Sequence, residues 1–232
     1  MADPNRLVAQ CVCTGLTYLA DSLQYYWPAN FAILKGVPQV YLNEIAERNI
    51  TLHIAHSFAE KGFHMWAEVP FNDGSRKVDF LALNYSEGIT VALEFKNNLE
   101  NPPNSYADLE RFVEIHRIGL CNPEHGFNNQ SIARAEHRMY GIVTLLGPLE
   151  FADWWIYPGS GKVPYNPDGR TAGDYKKIGQ AIEKASYRAV VPLAEQIYPG
   201  VQCDERYRFR RAAYALFDAN SISELESVLN AS

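Results

Sequence analysis

"RKVDFLALNYSEGITVALEFKNN", residues 76–98, reads as two apolar runs folded on each other, with Asp79, Glu94 and Lys96 at positions that strands usually fill with apolar side chains. The segment YSEG, Tyr85 to Gly88, is predicted to form a four-residue hairpin loop, which pairs Asn84 with Ile89. Stepping back along that antiparallel ladder sets Asp79 opposite Glu94. Strand side chains alternate, so Lys96 shares a face with Glu94, while Val91, Leu93 and Phe95 point to the other side. Two acids and a lysine are expected on one face of the hairpin.

Like charges opposed across a strand pair repel, and burying either carboxylate unpaired would cost about 3 kcal/mol or more. A cation must compensate. Either Lys96 supplies it, in a structural salt-bridge cluster at the sheet edge, or a divalent metal does. Mg²⁺ favours one or two carboxylates completed by waters and substrate phosphate.

The preceding helix bears on the choice. It is expected from about Val40 to Lys61, ending at Gly62, a natural C-terminal cap. Laid antiparallel to the first strand, about 15 helical residues at ~1.5 Å match about 7 strand residues at ~3.3 Å. That brings Glu44 to Glu47 level with Asp79. Leu52, Ile54, Ala55, Phe58 and Ala59 mark the core-facing side, with Glu44 near its middle and Glu47 toward its margin. Three acids directed at one point favour the metal.

Around this hairpin the chain reads as α-β-β-β-α-β. Strands are predicted at 63–71, 78–84 and 89–97, a helix over "DLERFVEIHRIG" (108–119), and a buried strand at 139–147. A helix over residues 6–26 precedes this core. After it, Trp154 to Gly173 reads as a long loop, and 173–198 as a helix broken near Pro192. "RYRFRRAAYALF" (206–217) is a late strand or helix, and "SISELESVLNAS" (221–232) a short amphipathic helix with a Ser cap. The division expected is one elaborated domain, 1–232, with an N-terminal helical extension (1–38), a core (39–150), and a loop insertion with C-terminal elements (151–232).

The chain has 232 residues, 47 % hydrophobic and 21 % charged, enough for a substantial core and unlike a disordered chain. No run approaches a membrane span. Four scattered cysteines, Cys11, Cys13, Cys121 and Cys203, fit a reducing interior, and a cytoplasmic location is expected. The net charge of −6 speaks against nonspecific nucleic-acid binding, so any such site must be local. Arg206, Arg208 and Arg210, on one face if "RYRFRR" is a strand, would suit a phosphate backbone, or equally blunt an edge strand. "CVC" has no second pair at zinc spacing, and "PGSGK" (158–162) lacks the length and Ser/Thr of a phosphate loop.

With "NEIAERNI", "KVDFLAL" and "ALEFKNN" in this order, residues Glu44 to Arg111 resemble the PD-(D/E)xK nuclease superfamily, whose fold is restriction-endonuclease-like. Val78 stands where the name-giving pattern has Pro. The resemblance implies an α/β fold, a mixed central sheet flanked by helices with N- and C-terminal additions. It implies phosphodiester hydrolysis, on DNA in preference to RNA. Asp79 and Glu94, with Glu44 and the Phe95 carbonyl, would hold Mg²⁺ or Mn²⁺, and Lys96 would orient the attacking water. Homodimers that cut both strands are an expectation of the same kind. The alternative is an inactive nuclease-like scaffold serving as a binding or assembly module, its acid-lysine cluster purely structural.

Overall fold

A computed structural model of the chain describes residues 3–25, 47–71, 76–96, 102–118, 135–146, 149–158, 172–193 and 211–230. Within them, helices α1 (Pro4–Tyr25) and α2 (Glu47–Ala59) precede strands β1 (His64–Phe71), β2 (Arg76–Asn84) and β3 (Ile89–Lys96). Helix α3 (Pro102–Ile118), β4 (His137–Leu146), α4 (Leu149–Ile156), α5 (Ala172–Glu183), β5 (Tyr187–Pro192), β6 (Arg211–Phe217) and α6 (Ala219–Asn230) follow. The predicted α-β-β-β-α-β order is that of α2 to β4.

The six strands form one mixed sheet in the order β1-β2-β3-β4-β6-β5. β1 to β3 are an antiparallel meander, β3 and β4 are parallel, and β6 is antiparallel to both its neighbours. A parallel pair needs a crossover, and α3 supplies it. The result is an α/β protein with helices on both sheet faces. Ile50, Ile54 and Phe58 of α2 and Val8, Val12 and Leu16 of α1 pack with Phe80, Val91, Leu93 and Phe95. The opposite face packs Leu109, Phe112 and Ile115 of α3, with residues of α4 to α6, over Leu81, Leu83, Ala92 and Ile142.

Local chemistry sets the boundaries that matter for the hairpin. Gly62, at φ 76°, ends α2, with its N–H bonded to Ala59 O at 2.9 Å and the Phe63 N–H to Phe58 O at 3.2 Å. Asn84 holds the β2–β3 turn by accepting from Ser86 Oγ at 2.8 Å and from the Glu87 N–H at 3.1 Å. It also donates to Lys61 O at 3.2 Å, tying the turn to the end of α2.

Several expectations change. Part of the loop foreseen at Trp154–Gly173 is helical, as Trp154 and Trp155 lie in α4 with both side chains buried. Trp155 Nε1 donates to Tyr214 O at 3.1 Å, so these rings fill the core. The helix foreseen across 173–198 stops at Glu183, and Tyr187–Pro192 is an edge strand. Its aromatic and β-branched residues suit a pleated surface, and Pro192 is tolerated there. The last helix is capped by Asp218 instead of a serine, its Oδ1 accepting from the Asn220 and Ser221 N–H groups at 3.0 and 2.9 Å. Leu52, counted in the apolar stripe of α2, is 66 % exposed, while Ile50 is fully buried. The stripe that aimed Glu44 at Asp79 is thereby rotated.

Among the described residues no helix is long and apolar enough to cross a membrane.

Candidate active site

The β2–β3 ladder runs Asn84 with Ile89 through Phe80 with Leu93, the predicted register. The next pair in that register is Asp79 and Glu94. There the two strands part. The Phe95 N–H, which a continued ladder would give to a main-chain carbonyl, donates instead to Asp79 Oδ2 at 2.8 Å. The carbonyl of Lys77 accepts from Arg111 Nη1 at 3.0 Å.

An irregularity in β1 lies at the same level. Glu68, opposite Asp79 in the β1–β2 register, has φ 51°, a left-handed conformation that a side chain disfavours. The face alternation breaks at the same point in both strands. Val78 and Leu81 lie in one core cluster, as do Val69 and Trp66, though strict alternation would separate each pair. Asp79 sits at this irregularity and is half-buried.

Glu94 and Lys96 close β3 on the face covered by α3, where Glu94 is 1 % exposed. Two residues of α3 meet them. Arg111 Nη1 donates to Glu94 Oε1, and Arg111 Nη2 lies 3.4 Å from Asp108 Oδ1. Lys96 Nζ pairs with Asp108 Oδ2 at 2.9 Å. Sequence reasoning placed Asp79, Glu94 and Lys96 together and missed Asp108 and Arg111. A signal was present, since Asp108 falls inside the apolar stripe of Leu109, Phe112 and Ile115, where an acid needs a partner.

Three acids here face two cations, so one carboxylate is under-compensated. Burial, with Asp79 and Asp108 nearby, pushes Glu94 up to about 9, against the pull of Arg111 and Lys96. Burial raises Asp108 too, opposed by Lys96 and Arg111. For Lys96 burial acts downward, but Asp108, Glu94 and Asp79 outweigh it and hold the ammonium above the usual lysine range.

The donors suit a hard divalent cation, since the carboxylates of Asp79 and Glu94 lie within charge range of each other at the end of β3. No three His, Cys, Asp or Glu side chains among the described residues are grouped so as to hold a metal. The donors of the right type here are the two carboxylates of Asp79 and Glu94. Glu44 and the Arg206, Arg208 and Arg210 stripe lie outside the described residues.

Comparison of the chain with protein-family models, with curated proteins and with solved structures finds no match.

Proposed function

We propose that the chain is a metal-dependent phosphodiester hydrolase, a nuclease of the PD-(D/E)xK type with a restriction-endonuclease-like core, acting on nucleic acid and on DNA in preference to RNA. One observation carries this reading. The β2–β3 register ends one pair short of Asp79 and Glu94, and just beyond it the Asp79 carboxylate takes the Phe95 N–H, within charge range of Glu94 and Lys96 at the carboxyl end of β3. Carboxyl ends of strands in open α/β sheets are where ligands bind.

Asp79, Glu94 and the Phe95 carbonyl would hold Mg²⁺ or Mn²⁺, with Glu44 a further candidate. A bound divalent ion lowers the pKa of a water and polarises the phosphate. Lys96 keeps its proton, so it serves as a hydrogen-bond donor and positive charge beside the attacked phosphate, not as a general base. Asp79 fixes the Glu94–Phe95 peptide through its bond to the Phe95 N–H, which holds the main chain of β3 in place beside the two acids. Burial of Glu94 excludes water from its carboxyl group and strengthens each charge interaction around it. With Mg²⁺ or Mn²⁺ the purified protein should cut DNA, and EDTA, Glu94→Ala and Lys96→Ala should each abolish cutting. Unchanged activity in both variants would sink the mechanism.

A second reading rests on a specific observation: the charges are internally paired, Lys96 with Asp108 and Arg111 with Glu94. Such a closed cluster would serve a binding scaffold without chemistry. Calorimetry with Mn²⁺ separates the two, because only the nuclease reading requires a saturable site that Asp79→Asn removes.

A further inference from the structure

The nuclease reading counts one cation beside the acids, but α3 brings a second one to the same carboxylate. Arg111 Nη1 divides itself between Glu94 and the Lys77 carbonyl, while Nη2 already reaches toward Asp108 Oδ1 at 3.4 Å. Its Nε is buried with no hydrogen-bond partner among the described residues. The guanidinium is thus incompletely satisfied where it sits, which lowers the cost of moving it.

A divalent ion at Asp79 and Glu94 would share Glu94 with that guanidinium. Two cations on one buried carboxylate repel strongly in a low-dielectric interior. Asp108 is the other seat within reach, and the planar fork of arginine suits a carboxylate. We propose that Arg111 is the resident counter-cation of the metal position: it holds Glu94 in the metal-free protein, competes with the metal for that carboxylate, and passes to Asp108 when the metal binds. Arg111 acts here as a positioning residue, and Asp108 as the acceptor that makes the handover possible. This inference rests on the reading of Asp79 and Glu94 as metal ligands.

Calorimetric titration with Mn²⁺, with thermal unfolding with and without Mn²⁺, tests it on the full chain. Removing the competing charge in Arg111→Met should tighten Mn²⁺ binding about tenfold, within the usual range of coupling between two ligands of one site. The same variant should melt lower than wild type without metal and gain more from Mn²⁺, the ion replacing the lost cation. Arg111→Lys, which keeps the charge, should bind Mn²⁺ within about threefold of wild type. Asp108→Asn removes the second seat and should weaken Mn²⁺ binding about tenfold, which keeps the inference open to refutation if Arg111→Met does not fold.

Equal or weaker Mn²⁺ binding in Arg111→Met, or unchanged binding in Asp108→Asn, overturns the handover while leaving the metal site standing. A wild-type protein without a saturable site overturns the nuclease reading instead. If Arg111→Met then gains a site that Asp79→Asn removes, the competition is supported. If it gains none, the inference falls as well.

Discussion

The main-chain N–H of Phe95 donates to Asp79 Oδ2 at 2.8 Å, so a carboxylate stands in for a backbone carbonyl where β2 parts from β3. This bond gives Asp79 a structural duty separable from its charge. Asp79→Asn retains an oxygen acceptor and should unfold within about 1 kcal/mol of wild type, whereas Asp79→Ala strands the N–H at a cost of about 1–3 kcal/mol. Both should lose DNA cutting. Denaturant unfolding and a cleavage assay on the same preparations measure the two effects, and equal destabilisation by both variants would refute the structural duty.

Glu94 should make the protein less stable as pH rises. Its folded value of about 9 stands above the ordinary 4.5, so between these the folded state keeps a proton that the unfolded state has released. Stability from this group is complete below about 4.5 and is lost as pH climbs through about 9, with a slope of up to about 1.4 kcal/mol per pH unit. Glu94→Gln, neutral at every pH, should flatten that slope and overtake wild type on the alkaline side. Denaturation midpoints from pH 5 to pH 9 test the sign.

The Lys96–Asp108 pair, with Asp108 only 4 % exposed at its side chain, should behave as a buried ion pair. Asp108→Ala leaves the ammonium and Arg111 without this partner and should cost about 3 kcal/mol or more. Lys96→Met with Asp108→Leu removes both charges of the pair and should recover part of that loss, since Arg111 still loses Asp108 but keeps Glu94 and the Lys77 carbonyl. Losses of Lys96→Met alone and Asp108→Leu alone that simply add in the double variant would show that the groups do not interact.

Sequence patterning foretold what depends on period and turn chemistry. The loop at Tyr85–Gly88 fixed the register of β2 on β3, and Gly62 marked the end of α2, because both rest on local rules. What depends on tertiary partners was not legible. Arg111 reads as one more polar residue of an amphipathic helix until the crossover lays α3 on the carboxyl end of β3. Leu52 fitted an apolar stripe, but α1 covers α2 on the side of Ile50, Ile54 and Phe58. The break in alternation at Glu68 and Asp79 has no sequence signal of the usual kind, since the left-handed residue is Glu and not Gly.

Gly15 separates the scaffold from the chemistry. A Cβ at this position would lie 2.6 Å from Ile54 Cα and 3.0 Å from the His53 carbonyl oxygen, both main-chain atoms that no rotamer change can move. The two helices are also fastened by Ser57 Oγ donating to Cys11 O at 2.6 Å, so α1 cannot slide aside without losing a buried bond. Gly15→Ala gains up to about 1 kcal/mol of helix propensity but forces α1 and α2 apart, for a net loss of about 1–2 kcal/mol. α1 and α2 cover the sheet face opposite Glu94 and Lys96, so the charged cluster is untouched. The variant should melt lower than wild type yet bind Mn²⁺ and cut DNA normally at temperatures where it remains folded. A loss of Mn²⁺ affinity in the folded variant would show that α1 and α2 help to position the site through the sheet.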